Sequence, residues 1–294
     1  VTSRQRICDV KGVPLISSMH EIFGRVEKFQ AKADDILIAT YPKAGTTWMI
    51  EIMDSIRQGG ITKEITTIPS HERTPFLELS SMGTLPAGVD LLKDMPSPRL
   101  VKTHLPFQLV PQSFWDKGCK VIYVARNAKD ILVSYFFFHK ITPILPHAGT
   151  WDDFFESFLS GNGECVHSDL SSLSVLDDQH HRQDPWSHSA LLLLLLLHID
   201  GSFPHPRAPR LKVLISVLLM EIVKHTSFNM MKDNPMTNFS RMPTCIVDVR
   251  ISPFMRKGQV GDWKNHFTVA QNQRFEEEYR RRMAKTSLRF RTEL

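Results

Sequence analysis

The sequence predicts an α/β fold, in which a central parallel sheet is flanked by helices within a single domain spanning residues 1–294. Short apolar runs that resemble strands alternate with helical patterns, and polar or basic residues follow directly where these runs end. This alternation is typical of βαβ units, and open α/β sheets bind ligands beyond the carboxyl ends of their strands. The hydrophobic content of 42% and the charged content of 23% are those of an ordinary globular protein.

Three strands are predicted from apolar runs at residues 36–39, 99–103 and 120–125. The third run is apolar without interruption, a pattern typical of a parallel strand buried on both faces. Helices are predicted up to Phe29, from the loop after the first strand to Gly59-Gly60, over 130–138 and over 215–223. Residues 12–15 are interpreted as a surface turn, and residues 61–98 as loops with short helices.

The loop between the first strand and its helix reads Thr40-Tyr41-Pro42-Lys43-Ala44-Gly45-Thr46-Thr47-Trp48. A helix N-terminus has unpaired N–H groups and partial positive charge, so it attracts anions. Gly45 allows close backbone approach, the threonines add hydroxyl donors, and Lys43 adds a mobile charge. The order differs from the nucleotide loop G-x-x-x-x-G-K-S/T, because this lysine precedes the glycine. The loop therefore predicts a phosphate-like ligand other than ATP or GTP.

This loop resembles the Y-P-K-A/S-G-T-T-W phosphosulfate loop of the cytosolic sulfotransferases. Three further blocks fit that family in the same order: 102–106 (KTHLP), 123–130 (YVARNAKD) with Ser134-Tyr135, and 254–258 (FMRKG) with 261–265 (GDWKN). The resemblance covers residues 10–160 and 221–294. It implies transfer of a sulfonate group from 3′-phosphoadenosine 5′-phosphosulfate (PAPS) to a hydroxyl or amine.

Three residues are predicted to perform the chemistry. A histidine has a pKa suited to proton transfer at neutral pH, and His104, which follows the second strand, is the expected general base. Lys43 is expected to neutralise the leaving phosphate oxygen, although an isolated loop lysine could simply be solvated. Lys102 lies near the same sheet edge and is expected to assist.

The resemblance also implies which residues bind PAPS. The 3′-phosphate is assigned to Arg126, Ser134, Arg256, Lys257 and Gly258, because an arginine can hold a phosphate through two parallel hydrogen bonds. Trp48 and Phe228 are expected to pack on the adenine, with Thr226 as a polar contact; a core position for both rings remains an alternative. The complete predicted set for the donor is Lys43, Ala44, Gly45, Thr46, Thr47, Trp48, Arg126, Ser134, Thr226, Phe228, Arg256, Lys257 and Gly258.

The acceptor pocket is predicted to be largely apolar. Its expected lining is Met19, Phe76, Lys102, His104, Phe138 and Ile246. Such a lining favours a small lipophilic phenol, alcohol or amine. No metal is expected, since the cations of the protein perform the neutralisation.

Residues 163–210 depart from the family pattern. They contain seven consecutive leucines at 191–197, and Pro204, Pro206 and Pro209 are expected to bar a regular helix just downstream. Two alternatives to an active sulfotransferase therefore stand. One is a PAPS-fold protein inactivated by this segment. The other is a P-loop kinase, which is disfavoured because the lysine of the loop precedes the glycine.

Composition limits the possible partners and the compartment. The net charge of +5 fits either a mildly basic surface or cations gathered for a polyanion, but no basic-aromatic tract predicts nucleic-acid binding. No apolar run approaches the roughly 20 residues of a membrane span. Four widely spaced cysteines and the lack of a signal peptide lead us to expect a cytoplasmic protein.

The C-terminal region carries a candidate dimer motif. Lys264, Thr268 and Val269 fit the family pattern K-x-x-x-T-V-x-x-x-E, but Gln273 replaces the final acid. A homodimer is therefore expected to lose one charge-assisted contact, a change of about 1 kcal/mol.

Overall fold

The structure is a computed structural model that describes residues 5–83, 85–161, 209–284, 290 and 292, with only the backbone of 209–215. Its strands are β1 (Ile7–Val10), β2 (Val13–Ile16), β3 (Ile36–Thr40), β4 (Leu100–Thr103) and β5 (Lys120–Val124). Its α-helices are α1 (Ser17–Glu27), α2 (Thr46–Arg57), α3 (Lys63–Thr67), α4 (Ser70–Arg73), α5 (Gly88–Asp94), α6 (Ser113–Asp116), α7 (Ala128–Ile141), α8 (Trp151–Ser160), α9 (Pro209–His225), α10 (Phe228–Asp233) and α11 (Val269–Met283). Within the described residues, short 3₁₀ helices occupy Phe107–Leu109 and Asp262–Asn265. The predicted α/β class, with a parallel sheet flanked by helices, is confirmed.

The central sheet has the strand order β4-β3-β5, with all strands parallel. Ile36 pairs with both Leu100 and Lys120, so the three strands end at one edge. Every residue of β3 is buried, because Leu37 packs into the core on one face while Ile38 packs against α2 on the other. This shared edge brings the loops after β3, β4 and β5 together.

The interpretation of β5 as a strand buried on both faces is wrong for the described part of the chain. Lys120 and Val121 are exposed, and Val121 keeps 39% of its accessible surface. The difference arises because β5 pairs with β3 on one side only among the described strands.

The surface turn predicted at residues 12–15 is also wrong. β1 and β2 form an antiparallel hairpin, and its turn lies earlier, at Lys11 and Gly12, which both have positive φ values (53° and 81°). Pro14 is tolerated because a two-stranded hairpin leaves edge positions that need no donor. Leu15, in β2, is completely buried in the main core.

A buried ionic cluster fixes α4 against α2. Arg73 forms hydrogen-bonded ion pairs with Glu51 and Asp54, and all three side chains are almost fully buried. His225 Nε2 lies 3.1 Å from Glu51 Oε2, which adds the end of α9 to the same cluster. The cluster therefore holds three segments that surround the ligand cavities described below.

Pro204 and Pro206, which were expected to bar a regular helix just after the leucine run, lie outside the described residues, whereas Pro209 begins α9. Proline is favoured at the first helical position, where its missing N–H has no intrahelical partner to lose. The other predictions for residues 163–208 lie outside the described residues. No helix in the described ranges is long and apolar enough to cross a membrane.

Candidate active site

The phosphate loop, residues 40–48, joins the end of β3 to the start of α2. Gly45 caps α2 with φ of 121°, a conformation that favours glycine. Lys43 also has a positive φ, at 69°, and Thr46 Oγ1 lies 2.6 Å from Thr40 Oγ1. The helix N-terminus and a constrained lysine therefore face the same space, as an anion site requires.

Lys43 occupies a half-buried position between two aromatic rings. Its Nζ lies 4.3 Å from the ring centroid of Phe138 and 3.9 Å from that of Phe254. Burial lowers the pKa of Lys43 to about 7, and repulsion from Arg126, Lys102 and Arg256 adds to the effect. Such crowding of cations favours an anionic ligand, which would restore the charge of this lysine.

His104 is oriented by the end of β3. Its Nδ1 lies 2.8 Å from the carbonyl oxygen of Thr40 and 3.0 Å from Thr40 Oγ1. Because a carbonyl oxygen can only accept, Nδ1 carries the proton of the neutral ring, and Nε2 is the basic nitrogen. The ring of Phe76 meets His104 edge-on at 4.9 Å. His104 therefore has the tautomer that a general base in the cavity needs.

Glu78 holds the backbone of His104 in place. The sequence alone did not identify it as a site residue. The backbone N–H of His104 donates to Glu78 Oε1 at 2.5 Å, and Thr103 Oγ1 donates to Glu78 Oε2 at 2.8 Å. Burial raises the pKa of Glu78 to about 7, although these hydrogen bonds oppose the rise. The available signal was a lone acid within the apolar stretch Phe76-Leu77-Glu78-Leu79.

Lys102 is the third predicted catalytic residue. Burial lowers its pKa to about 8, with the charge of Glu78 acting in the opposite direction. Its Nζ lies 4.2 Å from the ring centroid of Phe76. An isolated parallel β-bridge joins Phe76 to Lys102 of β4. This backbone pairing brings Glu78 alongside His104.

A second cluster comprises Arg126, Ser134, Arg256, Lys257 and Gly258. Arg126 follows β5 and donates from Nη1 to the carbonyl oxygen of Lys43 at 3.3 Å, so it contacts the phosphate loop directly. Arg256 forms an ion pair with Asp262, and Lys257 Nζ lies 3.5 Å from the same carboxylate.

Asp130 joins the two segments of this second cluster. It is almost fully buried in α7, and its carboxylate accepts from the backbone N–H groups of Gly261, at 2.9 Å, and Trp263, at 3.1 Å. Arg126 lies 4.0 Å away on the preceding turn. Asp130 thereby fixes the segment after Gly258 beside α7.

The predicted adenine residues surround a cavity of about 540 Å³ that adjoins the phosphate loop. Trp48 Nε1 donates to the carbonyl oxygen of Thr226 at 3.0 Å. Trp48 and Phe228 do not occupy core positions, the alternative left open by the sequence, because Trp48 is 51% exposed and Phe228 is half-buried. A Cβ on Gly258 would lie 2.2 Å from the ring of Phe228, so a glycine is required at this contact.

The structure brings all the sequence-predicted site residues to two adjoining cavities. Ala44 and Thr226 line the smaller one, and every other member of the predicted set lines the larger cavity of about 760 Å³. Its remaining wall is mainly apolar and includes residues that the sequence analysis missed: Ile68, His71, Glu72, Phe239, Met242 and Phe254. Among the described residues, no three His, Cys, Asp or Glu side chains cluster in a way that could hold a metal ion.

The chain is similar to proteins of a known family over most of its length. A family model described as "Sulfotransferase domain" matches residues 33–183 and 216–287. Sulfotransferase 1A1 of Bos taurus is 47% identical, over 100% of this chain and 98% of the relative. Sulfotransferase 1 family member D1 of Mus musculus is 42% identical, over 99% and 97% of the two chains.

Solved structures share the fold. The crystal structure of mouse sulfotransferase SULT7A1 complexed with PAP has a TM-score of 0.68 and 27% identity, over 95% of this chain and 96% of that one. Retinol dehydratase in complex with androsterone and the inactive cofactor PAP has a TM-score of 0.75, over 97% and 92% of the chains, but only 20% identity. With its four motifs gathered at one site and its relatives matching along nearly their whole length, this chain belongs to the sulfotransferase family.

Proposed function

We propose that this protein is a single-domain enzyme that transfers the sulfonate group of PAPS to a small lipophilic phenol, alcohol or amine. The observation that carries the proposal is the convergence of His104, Lys43 and Lys102 on one cavity with an apolar wall. PAPS supplies an activated sulfonate whose acceptor is a nucleophilic oxygen or nitrogen. The relatives that match the chain along its whole length are sulfotransferases, which favours this function over the inactive alternative.

His104 is the general base in this proposal. Its Nε2 takes the proton of the acceptor hydroxyl as the acceptor oxygen forms its bond to sulfur. The hydrogen bond from Nδ1 to Thr40 holds the required tautomer, and Glu78 fixes the backbone of the same residue. General-base catalysis of this kind contributes about 10²- to 10⁴-fold to the rate.

Lys43 and Lys102 provide the electrostatic part. Lys43 stabilises negative charge on the phosphate oxygen as the bond from that oxygen to sulfur breaks, and Lys102 adds positive charge at the same edge. The partly buried site strengthens both interactions relative to water. An anionic donor raises the lowered pKa of Lys43, so the lysine is charged when its role begins.

Recognition of the donor rests on the remaining predicted residues. The second cluster binds the 3′-phosphate, the phosphate loop binds the 5′-phosphosulfate, and Trp48 with Phe228 contacts the adenine. Support comes from the mutual repulsion of Lys43, Arg126, Lys102 and Arg256, which an anionic ligand would relieve, and from the family relationship to a mouse sulfotransferase solved with PAP. The kinase alternative has no such support, because the lysine precedes the glycine of the loop.

Location and assembly are finer parts of the proposal. We expect a cytoplasmic protein that forms a homodimer through Lys264, Thr268 and Val269. Val269 is 77% exposed at the start of α11, where Thr268 caps the helix, so this surface is accessible to a second copy.

The test is product formation from purified protein. Incubation with PAPS and 4-nitrophenol should yield the sulfate ester, detected by mass spectrometry, and ATP in place of PAPS should yield no phosphorylated product. Absence of sulfated product from a folded protein, across a panel of phenols, alcohols and amines, would reject the enzymatic function.

A further inference from the structure

The mouth of the larger cavity carries a polar pair that the reaction does not use. His71 and Glu72, in α4, both line this cavity. The side chain of Glu72 is 56% exposed, and its Oε1 lies 3.9 Å from His71 Nε2. The neighbouring Arg73 is locked between Glu51 and Asp54, so the backbone of this pair is held in place by the buried ionic cluster.

The cavity is therefore electrostatically asymmetric. Its lining includes several cations, among them Lys43, Lys102 and Arg126, whereas Glu72 is the one carboxylate among the described residues that line it. A carboxylate at an otherwise apolar mouth attracts a cationic group, and the effect falls with salt because the site is exposed.

Aromatic rings connect the mouth to the catalytic end. The ring of His71 stacks on Phe239 at 5.6 Å, Phe239 meets Phe254 at 4.2 Å, and Phe254 contacts Lys43. Phe239 holds a φ of 63°, which is rare for a bulky residue and indicates a position fixed by its surroundings. Burial lowers the pKa of His71, so at neutral pH this ring is an uncharged surface beside the carboxylate. Aromatic faces also attract organic cations.

We propose that Glu72, with His71 and Phe239, selects acceptors that carry a cationic nitrogen at the end opposite the hydroxyl. The inference rests on the proposed sulfonate transfer and names its acceptor class more narrowly. The hydroxyl oxygen forms the bond to sulfur, its proton passes to His104, and the distal cation remains at Glu72 without reacting.

Two phenols of matched shape separate charge from size. One is 4-[2-(trimethylammonio)ethyl]phenol, whose nitrogen cannot be sulfonated, and the other is its neutral carbon isostere, 4-(3,3-dimethylbutyl)phenol. The measured quantity is the ratio of their kcat/KM values in the wild type, in Glu72→Gln, and in the control Glu64→Gln, which removes an exposed acid of α3 outside the cavity lining.

Glu72→Gln should lower the ratio about three-fold, the scale of an exposed charge pair, and should change kcat/KM for the neutral phenol by a smaller factor than for the cationic one. Glu64→Gln should preserve the ratio, and the wild-type ratio should fall as salt is raised. An equal ratio in Glu72→Gln and wild type, with both phenols sulfonated, would refute the role of Glu72 alone. If the wild type sulfonates neither phenol nor any other acceptor, the proposed function fails and this inference fails with it.

Discussion

The phosphate loop and the second cluster present cations to the same cavity, but they are built in different ways. The loop is nine consecutive residues that run from the last residue of β3 into the first turn of α2. The second cluster combines Arg126 and Ser134 with residues 256–258, which lie more than 100 positions later in the chain. The loop depends on its own backbone, notably the positive φ of Gly45. The second cluster depends on Asp130, which ties the two segments together.

The two sites therefore differ in what their geometry depends on. Local geometry fixes the loop wherever β3 and α2 form. The second cluster exists only when α7 has docked on the segment that contains Gly261. Changes in the core near Asp130 should therefore damage recognition of one phosphate while sparing the other.

The largest expected effect is a loss of turnover when the general base, His104, is removed. His104→Ala should reduce turnover about 10²- to 10⁴-fold and leave the affinity for adenosine 3′,5′-bisphosphate (PAP) nearly unchanged, because the imidazole acts on the acceptor. Steady-state kinetics and calorimetry measure the two quantities, with the exposed His20→Ala as control. Normal turnover in His104→Ala would remove this residue from the mechanism.

The second-largest effect is expected from removing Asp130, which links α7 to the segment that contains Gly261. Asp130→Ala leaves two backbone N–H groups without their acceptor, so we expect the free energy of unfolding to fall by about 3 kcal/mol. PAP affinity should fall more than affinity for adenosine 5′-monophosphate (AMP). Chemical denaturation and calorimetry test this, with the exposed Asp94→Ala as control. Wild-type stability together with equal affinity losses for PAP and AMP would show that Asp130 does not organise the second cluster.

Proton uptake tests the phosphate loop. With its pKa lowered to about 7, Lys43 is about one-tenth charged at pH 8 in the free protein. Binding of a polyanion raises that pKa, so PAP binding at pH 8 should take up about one proton. Calorimetry in buffers of different ionisation enthalpy measures the uptake, and Lys43→Met should remove most of it. Buffer-independent binding enthalpies for the wild type would contradict the lowered pKa.

The smallest effect is expected at the adenine side. Trp48→Phe keeps an aromatic ring but loses the hydrogen bond to the carbonyl oxygen of Thr226. We expect PAP affinity to fall about five-fold, since a net hydrogen bond contributes about 1 kcal/mol. A fluorescence titration with a displaceable nucleotide measures it, and the exposed Phe107→Leu serves as a control outside both cavities. Unchanged affinity would remove this hydrogen bond from nucleotide recognition.

The same contrast explains what the sequence could predict. The phosphate loop and the three sheet strands follow from local patterns, and residues such as Arg256 were assigned through family resemblance. Glu78 escaped because its role depends on a bridge between distant segments, Phe76 and Lys102. The β1–β2 hairpin escaped because Gly12 and Pro14 together resembled a turn, while the burial of Leu15 that stabilises the hairpin comes from tertiary packing.

The most direct test of the division between the two clusters is nucleotide binding to Arg126→Ala. Calorimetry with PAP and with AMP separates the 3′-phosphate from the rest of the nucleotide. Arg250→Ala, in which the lost side chain is 75% exposed, controls for net charge. The account predicts that Arg126→Ala weakens PAP about 100-fold, the scale of a lost charged hydrogen-bond pair, and weakens AMP only slightly. Equal losses for both nucleotides would contradict the assignment of the 3′-phosphate to the second cluster.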